Sequence, residues 1–600
     1  MGELKERSEM DSAYEWNLST LYANDEAFEK ALKKVDVQIE RVASYTGKLQ
    51  DSTVILAYLK ENTALSLEMN NLFTYASLRR SEDTRDAKGQ SMFGRAYTKY
   101  VQASSSSAFA EPEILSLEKE TLQQIIADPL LNEYHFYLEN LLRSKEHRLS
   151  GKEELLLAQF GEVLANPGQV SDTLMDADMV FESVKDSQGI EHEVSSSSFI
   201  LLENSLDRTL RENAFHSFYK GYRQHINTFA ATYSGCVKGA VAEAKIRHYQ
   251  SSREMSMASD NIPVAVYDNL IDTIHKRMDL MHRYVRLRKR VLGLKELHYY
   301  DLYAPLIQKI TKTYTYEEAQ KMVLKAVAPL GREYVERVQK AYEAHWIDVY
   351  PNKGKSGGAF SSGTYTSNPF ILTNFTGTLD SVSTLAHEMG HSQHSWLTNH
   401  TQPAQYADYS LFVAEVASTV NENLLIEQLM QEEKDPQNRM VLLNQYLEGF
   451  KGTVYRQTMF AEFEKESHAM AERGESLDQK TLNSLYERLV KLYFGDDLIM
   501  DEEVQYEWAR IPHFYYVFYV YVYATGYSSA TALSEGILRN GVSAVKKYLE
   551  FLSMGSSAYP LEELKHAGVD LTTPAPIDIA LDKFEKVIME AEKTADVLGL

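Results

Sequence analysis

Apolar residues recur three and four positions apart, with charges between them, along 26–42, 206–249, 264–292, 316–343 and 577–598. A chain with that period over so much of its length must bury helix faces against one another, so the expected fold class is mainly α. Sheet signals are confined to two places. Residues 181–194 read as a hairpin around Asp186-Ser187-Gln188-Gly189, and Pro369-Phe370-Ile371-Leu372-Thr373-Asn374-Phe375 is a short apolar run. With only 29 Gly and 14 Pro in 600 residues, little breaks the helices. That length also exceeds what one core usually holds. A boundary is expected near 195–205, between a helical N-terminal region 1–200 and a helical C-terminal region 201–600, with no internal repeat or sustained heptad.

Charge and cysteine usage remove several classes of function. A net charge of −23 repels phosphate backbones and anionic lipid, so neither nucleic acid nor membrane is an expected partner. Cys236 is the only cysteine, which rules out an internal disulfide or a thiolate metal cluster and favours a reducing compartment. The charged N-terminus does not read as a secretory signal, and a cytoplasmic location is expected. The uncharged stretch 514–534 is long enough to span a bilayer, but it carries six tyrosines and only one Leu or Ile, so a buried or cleft-lining helix is expected. Gly354-Lys355-Ser356-Gly357-Gly358 lacks the earlier glycine of a phosphate loop; it reads as a turn or as a flexible loop beside a cleft. Oligomeric state is left open by the sequence.

His387-Glu388-Met389-Gly390-His391 carries the chemistry. Leu379, Val382, Ala386 and Met389 set a helical period around it, and Asp380 lies in the first turn, where a helix favours an acid. At 3.6 residues per turn, His387 and His391 stand one above the other and can share a Zn²⁺. Glu388, about 100° round the helix, can flank the metal and take a proton from water without being a ligand.

A catalytic zinc needs a third protein ligand. His394 lies seven residues beyond His387, a rise of roughly 10 Å, so it suits a supporting or cleft-lining role better than ligation. Glu415, in Phe412-Val413-Ala414-Glu415-Val416-Ala417-Ser418, is the stronger candidate, because a carboxylate among apolar neighbours is costly without a cation; Glu422 is the rival. Further on, Arg510-Ile511-Pro512-His513-Phe514-Tyr515-Tyr516 leads into a tyrosine run. There Tyr516, Tyr519 and Tyr523, spaced three and four apart, predict one helical stripe starting at His513. The stripe reads either as aromatic core or as hydroxyl donors for a tetrahedral oxyanion.

These three motifs, in this order, resemble the thimet oligopeptidase family of zinc metallopeptidases, and the resemblance runs from Tyr14-Glu15-Trp16-Asn17-Leu18 to the terminal helix. It implies an elongated, mainly helical body of zincin type with a small β-sheet beside the motif helix. A deep central channel would be covered by region 1–200, and region 201–600 would hold the zinc site. It implies one Zn²⁺ on His387, His391 and Glu415, Glu388 as general base, and His513, Tyr516 and Tyr523 as transition-state donors, with Tyr519 the alternative to Tyr523. The expected activity is endopeptidase cleavage of short oligopeptides by metal-activated water. An exopeptidase of the same metal class and a silent peptide-binding protein with a structural zinc are the alternatives. The strand 369–375 is expected to act as an edge that pairs with extended substrate.

Overall fold

The structure is a computed structural model that describes residues 4–307 and 312–600. Helices dominate, and they start where the sequence supplies a cap. Asn24, Asp51 and Asp86 turn side-chain oxygens onto the free N–H groups opening Asp25–Ala43, Ser52–Glu82 and Ala87–Ser107. Their apolar faces, including Phe28, Leu32, Ile55, Leu72 and Met92, merge into one core with Phe370 and Leu372 of the sheet.

Packing divides the chain into two compact units, each assembled from three segments. The first comprises residues 1–148, 312–425 and 533–568; the second comprises 149–311, 426–532 and 569–600. Residues 195–205, where the sequence suggested a boundary, therefore run inside the second unit.

In the first unit a three-stranded sheet has the order Ile347–Asp348, Phe370–Leu372, Phe360–Ser362. The first pair is parallel, with Ile347 opposite Ile371, and the second is antiparallel, with Ser361 opposite Ile371. Phe370–Leu372 is thus paired on both sides and fully buried, so the expectation that it is a substrate-binding edge is corrected. Among the described residues the half-exposed edge is Phe360–Ser362. Lys355 of the glycine-rich loop is spent on structure: its Nζ pairs with Asp348 at 2.7 Å and donates to the carbonyls of Tyr350 and Thr373.

The second unit is built round the 39-residue helix Arg208–Ile246, capped by Asp207. The predicted hairpin is present, Val184 facing His192 across a turn that Gly189 closes at φ +82°. Two long periodic stretches are each two helices. The stretch 264–292 breaks between Val264–His275 and Met278–Val291, where the Tyr455 hydroxyl takes up the Arg277 carbonyl. In the first unit, 316–343 breaks between Tyr316–Ala326 and Arg332–Glu343 at the 3₁₀ turn Ala328–Leu330, which holds Pro329, and at Gly331, whose φ of +94° separates that turn from the second helix. A period in sequence does not register such breaks when both halves bury the same face. No helix among the described residues is long and apolar enough to cross a membrane.

Candidate active site

The motif lies on Leu379–Thr401, opened by Thr378 accepting from the Ser381 N–H and buried along Val382, Leu385, Ala386 and Met389. The sheet sits beside it as expected, with Ser361 and Ser392 joined through their hydroxyls at 2.8 Å. A second helix, Leu411–Glu432, packs across it. The contact is backbone on backbone: a Cβ on Gly390 would come within 2.6 Å of the Ala417 carbonyl oxygen and of Ser418 Cα. Asn421, fully buried, locks the pair by donating to the Ala386 carbonyl at 3.0 Å while accepting from the Tyr334 hydroxyl at 3.0 Å. We expect Gly390→Ala to cost about 1–3 kcal/mol by forcing these helices apart and to weaken metal binding with it. Calorimetric melting with and without zinc checks this; an unchanged melting point and metal affinity would show that the close approach is dispensable.

That approach brings three donor atoms together. His387 Nε2 and His391 Nε2 are 3.2 Å apart, and Glu415 Oε2 lies 3.4 Å from the first and 3.5 Å from the second. Ligands on a tetrahedral zinc with bonds of about 2.0–2.1 Å stand roughly 3.3 Å from one another, so the donor set fits such an ion. Among the described residues these three form the one group of His, Cys, Asp and Glu close enough to hold a metal. Glu415 is half-exposed, while its neighbours Val413, Val416 and Ala417 are buried. The apolar flanks that drew attention to it are thus buried, while Glu415 itself keeps part of its surface open. Ser418 steadies it, donating to Oε2 at 2.9 Å.

Glu422 approaches the other side of the same imidazole, 3.4 Å from His387 Nδ1. A carboxylate on the outer nitrogen orients the ring and leaves Nε2 free to ligate. Burial would lower the His387 pKa, but the hydrogen bond to Glu422 and the charges of Glu422, Glu388 and Glu415 raise it to about 9. Glu415 goes the other way: burial opposes its ionisation, yet the imidazoles of His391 and His387 and the Ser418 hydroxyl hold it at about 2. Glu388 is buried, with Oε2 lacking a partner among the described residues. Burial raises its pKa, and the two imidazoles only partly offset that. A buried carboxylate oxygen left open beside two histidines is poised to meet a small polar group.

His394 is outside this cluster. It is buried, stacked on Tyr409 with ring centroids 3.7 Å apart, and burial pushes its pKa down to about 3, so it is a neutral packing residue.

The second predicted group belongs to the second unit, and its predicted helical stripe is corrected. Glu502–Arg510 and Pro512–Tyr515 are 3₁₀ turns, Phe518 takes φ +56°, and an α-helix begins only at Tyr521. The tyrosines nonetheless converge because the loop folds round His513. The Tyr519 ring lies parallel to the imidazole at 6.4 Å, Tyr516 stands at 6.4 Å, and Tyr523 at 5.9 Å brings its hydroxyl to 3.5 Å from His513 Nε2. Tyr516 is 66% exposed. Tyr515 turns inward, its hydroxyl 2.8 Å from that of Thr232. Burial, with the Arg456 charge, lowers the His513 pKa and keeps the ring neutral.

Just upstream, fully buried Glu507 gathers Arg456 at 2.6 Å, Arg510 at 2.9 Å, and the hydroxyls of Tyr486 and Tyr299. Arg510 continues to the Tyr219 hydroxyl at 3.0 Å. These partners are separated from Arg510 by up to three hundred positions in sequence, so no local pattern could reveal them.

The model of peptidase family M3 matches residues 201–583, and a model described as oligopeptidase F matches 113–181. The chain is 45% identical to oligopeptidase PepF of Bacillus subtilis over 593 residues, covering 98% of this chain and 88% of that protein. Its fold matches the crystal structure of a Chlamydophila abortus chain with a TM-score of 0.94 at 34% identity, covering 99% of this chain and 100% of that one. It also matches oligoendopeptidase-F from Enterococcus faecium with a TM-score of 0.74 at 35% identity, over 95% and 99% of the two chains. With more than half its length matched by the family model, the chain belongs to peptidase family M3 and is a peptidase.

Proposed function

We propose that this peptidase is a zinc endopeptidase of the cytoplasm that hydrolyses internal bonds of short, unfolded oligopeptides. The observation carrying this reading is the triangle of His387 Nε2, His391 Nε2 and Glu415 Oε2, at 3.2–3.5 Å, beside the open carboxylate oxygen of Glu388. His387, His391 and Glu415 hold the ion, and Glu422 orients His387. When bound, zinc supplies a Lewis acid for the scissile carbonyl and the attacking water.

Glu388 takes a proton from that water and returns it to the leaving amine, a role suited to a carboxylate whose burial raises its pKa towards neutrality. His513, neutral and flanked by hydroxyls, donates with Tyr516 and Tyr523 to the oxyanion; the contact between Tyr523 and His513 supports Tyr523 over Tyr519. The edge strand Phe360–Ser362 offers unpaired backbone groups to an extended peptide, which gives affinity with little sequence preference. Zinc-loaded protein is expected to cut a free peptide of about ten residues, with both ends blocked, at internal bonds. The same sequence inside a folded domain should resist. Mass spectrometry of the products decides: loss of activity on end-blocked peptides would make the protein an exopeptidase, and equal cutting of the folded display would reject restriction to oligopeptides. No turnover of any peptide would leave a binding protein with a structural zinc.

A further inference from the structure

Glu464 lies on the helix Arg456–Glu472, fully buried. Its Oε1 accepts the backbone N–H of Phe518 at 3.0 Å, and its Oε2 has no partner among the described residues. Phe518 is the residue in the left-handed region, φ +56°, with Tyr516 two positions before it and Tyr519 and the helix of Tyr523 after it. A bulky aromatic residue adopts that backbone only when its surroundings impose it. Three contacts impose it. Glu464 takes the N–H, the Ser256 hydroxyl donates to the preceding carbonyl of Val517 at 2.8 Å, and the ring is buried against His468 and Tyr267. His468 stands one turn beyond Glu464 on the same helix and is itself held by Ser252 at 2.9 Å.

We propose that Glu464 is a positioning residue for catalysis: through the Phe518 N–H, its buried carboxyl holds the left-handed turn that gathers Tyr516, Tyr519 and Tyr523 round His513. The inference rests on the proposed role of His513 and its tyrosines as oxyanion donors. Among the described residues no cation compensates the carboxyl, and burial raises its pKa well above the ordinary range, so Glu464 acts as a neutral acid whose carbonyl oxygen is the acceptor. A glutamine offers the same acceptor in the same place. A methionine fills the volume and offers none.

The test compares Glu464→Gln, Glu464→Met and Ser256→Ala in the zinc-loaded full-length protein, reading amide exchange at Phe518, zinc content, and kcat and KM on an end-blocked peptide. In Glu464→Met, exchange at Phe518 is expected to quicken and kcat to fall about tenfold to a hundredfold, the scale of misplaced catalytic groups, with zinc content unchanged and KM little moved. Glu464→Gln should restore both readouts to near wild type. Ser256→Ala, which cuts the other tether without touching the carboxyl, should lower kcat in the same direction. Unchanged exchange in Glu464→Met, or faster exchange with kcat intact, would overturn the proposal, as would a Gln variant as impaired as the Met variant. If the wild type cleaved no peptide while Phe518 exchange responded as expected, the anchor would stand as a structural fact and the proposed function would fall.

Discussion

Glu388→Gln is expected to retain zinc and the fold while losing about 10²–10⁴-fold in kcat, the usual contribution of a general acid–base group. The amide keeps the shape of a side chain that is only 6% exposed, so packing along the motif helix is preserved. It cannot take the proton of the attacking water or return it to the leaving amine. The expected signature is therefore a kcat defect at full metal occupancy with KM little changed, measured on one end-blocked peptide alongside the zinc content of the same sample. A variant that is inactive because it no longer holds stoichiometric zinc would show that Glu388 belongs to the ligand set.

Glu415→Ala is expected to empty the site. It removes one corner of the triangle and leaves two imidazoles on one helix, too few for a stable protein site. Glu422→Ala should do less, about 10–100-fold in metal affinity, the usual effect of removing a partner that orients a ligating histidine. The distances motivate the order: Glu415 Oε2 faces both Nε2 atoms at 3.4 and 3.5 Å, whereas Glu422 reaches only Nδ1 of His387. Zinc titration against a competing chelator ranks the two variants. If Glu422→Ala lost more metal than Glu415→Ala, the assignments of ligand and orienting group would have to be exchanged.

Much of the site was readable from residues alone because its central element is local. Two histidines four positions apart on a helix share a face whatever else the chain does, and the period round Val382, Ala386 and Met389 made the helix certain enough to place them. Glu415 was reached by a partly mistaken argument. Its apolar neighbours suggested a buried carboxylate; they are buried, but Glu415 is half-exposed. The tyrosine group was reached in the same way, since a predicted helical stripe is in fact a loop folded round His513. At Glu415 only the burial differs from the expectation, whereas at the tyrosines the backbone itself does. Side-chain chemistry survives a change of backbone, whereas the period used to infer that backbone does not.

What the sequence determined by itself is whatever depends on short range: the helical class, the caps at Asn24, Asp51, Asp86 and Asp207, the hairpin at Gly189, and the pairing of His387 with His391 on one face. Tertiary structure alone decided which carboxylate meets those histidines, because that depends on how closely two helices approach at Gly390 and on Asn421 locking them. It also decided that Phe370–Leu372 lies inside the sheet while Phe360–Ser362 forms its edge, that Glu464 reaches across from another helix to the Phe518 N–H, and that Arg456 reaches Glu507 in the turn just before His513. Strand order and buried polar partners are set by contacts between segments tens to hundreds of residues apart, and the free energy of such contacts comes from which surfaces exclude water together, a property no window of sequence contains.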